Sequence, residues 1–179
     1  WHNFLLPWAI INMKKIFFVL FLTGLLILPF GKIKAQDVIG DPPLTRILFI
    51  FDGSQSMLAK WESDTKINIA KKLLNELIDS LKNVENLEVA LRVYGHQKPV
   101  PPQDCNDTKL EVPFGKNNFD KIKQRLWAVD PKGTTPIARS LELGKHDFPY
   151  CSNCRNIIIL ITDGIEACDG DPCAVSQAL

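Results

Sequence analysis

The segment FIFDGSQSM (49–57) ends an apolar run at Asp52 and then sets Ser54 and Ser56 at alternate positions. In an extended segment, positions i, i+2 and i+4 share one side, so these three short oxygen-bearing side chains point the same way. A turn needs one or two of them; a metal site uses all three. Two other segments carry the same chemistry. Thr135 stands in KGTTP, ahead of a helical pattern, and Asp163 stands in LITDG at the end of a second apolar run. Asp52, Ser54, Ser56, Thr135 and Asp163 together offer only hard oxygen donors. Such a set suits Mg²⁺ or Mn²⁺ and, with more ligands, Ca²⁺. Two carboxylates beside three hydroxyls leave a divalent ion under-neutralised and open to a carboxylate from outside.

Each piece also has a plainer use. Asp-Gly at 52–53 and 163–164 makes turns. Ser54 and Ser56 are able to cap a helix, and Thr135 is well placed as an N-cap with Pro136 at the first helical position. The conjunction is more specific than any part, because D-x-S-x-S and T-D-G both follow apolar runs and T-P opens a helix between them.

The elements that must carry these loops follow from periodicity. LTRILFIF (44–51) and the run within RNIIILITDG (155–164) are continuously apolar, which suits strands buried on both faces of a parallel sheet. Between Asp64 and Lys82, Ile67, Ala70, Leu74, Leu77 and Leu81 recur at helical spacing, and Leu73 and Ile78 widen the stripe. LEVALRVYG (87–95) is the next strand. TKLEVPF (108–114) alternates and contains Pro113, the mark of a short edge strand. A helix over 117–129 puts Phe119, Ile122, Leu126 and Val129 on one face. TTPIARSLELGKHDF forms another, and Asp171-Pro172 starts a last one. Strands alternating with helices predict an α/β fold, an open and mostly parallel sheet with helices on both faces. Ligands of such sheets bind beyond the carboxyl ends of the strands, where DGSQS and TDG fall.

At this point the chain resembles the von Willebrand factor A domain, through FDGSQSM, KGTTPIARSL and LITDG, from about Leu44 onward. The resemblance implies a Rossmann-like fold and a metal ion-dependent adhesion site holding Mg²⁺ or Mn²⁺. It implies ligation by the Ser54, Ser56 and Thr135 hydroxyls and by Asp52 and Asp163, directly or through water. It also implies a protein partner that presents an exposed Asp or Glu to the ion. Stretches such as TKINIAKKLL and TDGIEACDGDPC look closest to bacterial exported members. The sequence departs from the family in two ways. Gln55 stands where the family often has Gly, and the family's further strand–helix units after T-D-G are missing, so residues 44–179 read as a domain incomplete at its C-terminus.

The net charge of +1 gives no reason to expect a nucleic-acid partner. Met13-Lys14-Lys15, the apolar stretch 16–30 and small residues near Ala35 have the pattern of an export signal over 13–36. An uncleaved anchor is the alternative and would be the chain's one tie to a membrane; a span needs roughly 20 apolar residues, and this stretch is shorter. No cysteine stands directly after it, which argues against a lipoprotein. Residues 1–12 read as upstream sequence without a structural role, and 37–43 as a linker. The expected location is periplasmic, cell-surface or extracellular.

Cys105, Cys151, Cys154, Cys168 and Cys173 in an exported chain favour disulfides, with one cysteine unpaired or partnered elsewhere. Their spacing leaves zinc as an alternative and does not fix the pairing. Glu166, Asp169 and Asp171 form either a rim for a partner or second ion, or a solvated acidic loop tied by Cys168 and Cys173; the second is preferred. Met57 and Trp61 are expected to pack under the first loop. An enzyme is disfavoured: Ser54 stands where a hydrolase would need a second Asp, the G-x-S-x-G elbow is absent, and His96 and His146 read as ordinary surface residues. The remaining alternative is an envelope module whose metal site is vestigial.

Overall fold

The computed structural model describes residues 42–179. The expected export segment and upstream extension lie outside the described residues. Among those described, no helix is long and apolar enough to cross a membrane.

Strand β1 (Leu44–Asp52) is the centre of the molecule. It pairs in parallel with β4 (Leu87–Tyr94) on one side and with β6 (Cys154–Ile161) on the other. β5 (Thr108–Gly115) pairs antiparallel with β4 and closes that edge, giving the order β5-β4-β1-β6. Pro113 lies in this edge strand, where its missing N–H breaks no ladder bond. A two-stranded hairpin, β2 (Lys60–Trp61) and β3 (Asp64–Thr65), stands apart from the sheet.

Among the described residues, four helices cover the sheet: α1 (Lys66–Leu81), α2 (Phe119–Trp127), α3 (Ile137–Asp147) and the short α4 (Pro172–Gln177). The continuous apolar run of β1 divides between the two faces. Ile47, Phe49 and Phe51 join Ile67, Leu74 and Ile78 of α1 and Ile122 and Leu126 of α2. Leu48 and Ile50 join Ala90, Tyr94 and, from α3, Ile137 and Leu141. Each such side chain, fully buried, contributes about 1.5–3 kcal/mol. A one-residue slip of β1 would exchange its two faces, so packing on both sides holds the register. The α/β class and the order of the sheet strands and helices are as the periodicity predicts; the β2–β3 hairpin is an addition, and it takes Asp64–Thr65, where the helix was expected to begin.

Two details differ. In α1, Leu73 and Leu77 are exposed while Lys71 is buried. The Lys71 ammonium donates to the Val129 carbonyl at 2.7 Å and the Trp127 carbonyl at 3.2 Å, at the end of α2. Terminal helix carbonyls have no partner within the helix and carry partial negative charge, so a buried cation there is satisfied. Burial still lowers the Lys71 pKa, against the opposing charge of Asp130. In β6, the residues are half-buried or exposed rather than enclosed. Only β1 pairs with β6 among the described residues, so its other flank lacks a neighbouring strand.

Candidate metal centre

Three loops meet at the carboxyl edge of the sheet, held together by backbone hydrogen bonds. After β1, the Gly53 N–H donates to the Tyr94 carbonyl at 2.8 Å and the Gln55 N–H to the Gly133 carbonyl at 2.9 Å. The Gly133 N–H donates to Gly95 at 2.8 Å, so the loop bearing Thr135 is stitched to the ends of both β1 and β4. The Ala167 N–H donates to the Thr135 carbonyl at 3.1 Å, which adds the loop bearing Asp163. Gly95 is required at this crossing. Its φ is +68°, and a Cβ there would collide with the Thr134 carbonyl and with the backbone of Ser54.

The five oxygen-bearing residues singled out in the sequence converge on this edge. Ser54 Oγ lies 3.0 Å from Ser56 Oγ, and Ser56 Oγ donates to Asp163 Oδ1 at 2.9 Å. A Cβ built on Gly164 would sit 3.4 Å from Thr135 Cγ2, 3.8 Å from Ser56 Oγ and 3.9 Å from Asp52 Oδ2. The side chains of all three loops therefore border one small space. Asp52 lies beneath it, fully buried, and accepts from the Ser54 N–H at 2.8 Å, the Tyr94 hydroxyl at 2.9 Å and the Thr162 hydroxyl at 2.7 Å. All three donors are neutral. A buried carboxylate without a cationic partner is costly, and cation coordination is one way to satisfy it. Burial, with the Asp52 charge adding to it, pushes the Tyr94 hydroxyl far above its ordinary pKa, so it stays a donor. This donor set fits a hard divalent cation. It is rich in hydroxyls: among the described residues, no group of three or more His, Cys, Asp or Glu side chains is arranged to hold a metal.

Several expectations change. Thr135 does not cap α3; Pro136 occupies the cap position without a side-chain bond, and Glu166 Oε2 accepts from the Ala138 N–H at 2.6 Å instead. Glu166 is thus neither a rim residue nor free in solvent. It accepts from the Cys168 N–H as well, which fixes the loop after Asp163 onto the first turn of α3. Cys168 pairs with Cys105 rather than lying in a loop tied to Cys173. Cys151 pairs with Cys154, and Cys173 is free and exposed. With four cysteines in disulfides, the zinc alternative loses its ligands. Met57 packs inside as expected, but Trp61 is 57% exposed. Gln55 begins a short 3-10 turn with its side chain in solvent and without a positive φ, so the place often held by Gly tolerates it. Asp171 caps α4 by accepting from the Ala174 N–H.

Tyr94, Thr162 and Lys66 are parts of the site that the spacing pattern does not reveal. Lys66 Nζ lies 2.5 Å from Asp163 Oδ2. Thr162 adjoins Asp163 in T-D-G and was within reach of the sequence; the other two come from distant segments.

An α/β sheet with this three-loop edge defines the class, and the comparisons agree. The sequence model of the von Willebrand factor type A domain matches residues 47–166, and the chain belongs to that family. YwmD of Bacillus subtilis (strain 168) is 33% identical over 140 residues, covering 75% of this chain and 62% of that protein. The chain thus spans less than two thirds of that relative's length. In fold it is similar to BatB from Bacteroides thetaiotaomicron, with a TM-score of 0.60 and 24% identity over 75% of this chain and 60% of that one. It is also similar to the PilB minor pilin from Streptococcus sanguinis, with a TM-score of 0.56 and 21% identity over 72% of this chain and 32% of that one.

Proposed function

We propose that this domain is an exported, non-catalytic binding module that recognises an acidic residue of a protein partner through a divalent cation. The observation that carries the reading is Asp52. It is buried, aligned by three neutral donors, and borders the same small space as Ser56 Oγ and the Thr135 side chain, with Asp163 bonded to Ser56 beside it. Ser54, Ser56, Thr135, Asp52 and Asp163 would hold Mg²⁺ or Mn²⁺, which would supply a Lewis-acidic position for a partner's Asp or Glu. The chain's own part is preorganisation: Tyr94 and Thr162 orient Asp52, and the backbone ties fix the hydroxyl loops before any ligand arrives. A non-catalytic role is supported by the serines' surroundings. Ser56 donates to Asp163, and His96 Nε2 lies 3.1 Å from Glu111 and makes no hydrogen bond to either serine. The likeness in fold to a minor pilin is in keeping with a binding role outside the cell, and two disulfides support an oxidising compartment.

The test is retention of the chain on a peptide array in Mg²⁺ and in EDTA. The reading expects spots that need both the metal and an Asp or Glu in the peptide, and that are lost with Asp52→Ala. Retention that survives EDTA and Asp→Asn changes in the peptide would contradict it.

A further inference from the structure

Lys66 is the first residue of α1, where a positive side chain faces the positive end of the helix dipole. Its ammonium is nevertheless held inward, 2.5 Å from Asp163 Oδ2, across 97 positions of sequence. The two side chains are only 30% and 13% exposed, so the pair is more shielded than an ordinary surface bridge. The Asp163 oxygens are divided between two partners: Oδ1 accepts from Ser56 and Oδ2 from Lys66. Asp52, at the same site, has neutral donors only. The one site carboxylate near the surface thus has a built-in positive charge, and the buried one has none.

We propose that Lys66 is the site's internal counter-cation: it neutralises Asp163 in the metal-free domain and gives that carboxylate up when a divalent ion is held. This rests on the metal-binding reading above. An ammonium and a divalent ion so close together repel, and both draw on the Asp163 oxygens. The backbone of Lys66 is fixed by its N–H to the Ala59 carbonyl at 2.9 Å, whereas its four-carbon stem is flexible enough to swing the charge into solvent. Lys66 would therefore set metal affinity without being a ligand.

The test has two arms on the same chain. In EDTA, a double-mutant cycle of Lys66→Met and Asp163→Asn should show a coupling of about two- to fivefold in the folding equilibrium. In Mg²⁺ titrations followed by calorimetry, Lys66→Met should bind about two- to fivefold tighter than the parent, the same pair energy now working against the metal. Lys66→Arg, which keeps the charge, should not bind tighter. Absence of coupling in EDTA, or a Lys66→Met variant that binds Mg²⁺ no better than the parent, overturns the proposal. Failure of the underlying reading looks different: the coupling is present in EDTA, but neither parent nor variant binds metal, and the exchange falls with the site.

Discussion

The Tyr94 hydroxyl, at the end of β4, donates to Asp52 Oδ2 at 2.9 Å, and both residues are wholly enclosed. Aligned parallel pairing brings them together, since Asp52 and Tyr94 are register partners in β1 and β4. Removing the hydroxyl leaves the ring in the core and takes one of three donors from a buried carboxylate. Hydrogen bonds to charged groups contribute about 1.5–3 kcal/mol. Tyr94→Phe should lower unfolding stability by about that amount in urea titrations, with the fold retained. The deficit should grow when Mg²⁺ is added, because Asp52 is less well aligned in the variant and the parent gains more stability from the ion.

The Cys105–Cys168 bridge joins the loop after β4 to the loop that carries Asp163, over a separation of 63 residues. Closing a long loop restricts the unfolded chain, and such bridges contribute about 2–4 kcal/mol. The Cys151–Cys154 bridge spans three positions and restricts far less. Replacing Cys105 and Cys168 by Ser should therefore cost more stability than replacing Cys151 and Cys154. It should also weaken metal-linked stabilisation, because the loop bearing Asp163 loses its tie. Denaturant melts with and without Mg²⁺ read both effects.

Glu111 joins β5 to α2 and to the loop after β4 through Arg125, His96 and Lys109. Burial alone would raise its pKa, but hydrogen bonds from His96, Lys109 and Arg125 and the Arg125 charge outweigh burial and bring it from 4.5 to about 2. A carboxyl whose folded pKa is depressed binds fewer protons folded than unfolded. Its contribution is complete above the unfolded value of 4.5 and is lost as pH falls toward about 2. Stability measured across that window should drop, and Arg125→Ala should flatten the drop.

The sheet was legible because β1 and β6 are uninterrupted apolar runs, and D-x-S-x-S, T-P and T-D-G fall at loops the strand order brings to one edge. The parts that were not legible depend on long-range pairing. Tyr94 looks like any strand aromatic until its register with Asp52 is known. Lys66 reads as a solvated lysine until the loop 97 positions away arrives beside it. Lys71 lies between apolar positions of α1 and reads as surface. Only the end of α2, with the Trp127 and Val129 carbonyls facing it, makes its burial intelligible. Glu166 sits in an acidic stretch and reads as part of a solvated loop until the first turn of α3 supplies the N–H it accepts from. Cysteine spacing allowed several pairings, and the approach of the loops selects Cys105 for Cys168.

In the proposed site, Asp52 anchors a divalent cation. Thermal melting of the parent and of Asp52→Ala against added Mg²⁺ and Mn²⁺ tests it most directly. Ligand that binds only the folded state stabilises it by RT ln(1 + [L]/Kd), roughly 2.7 kcal/mol at about a hundredfold excess over Kd. The melting point should rise with metal in the parent and not in Asp52→Ala. A folded parent whose melting point ignores both metals would contradict it.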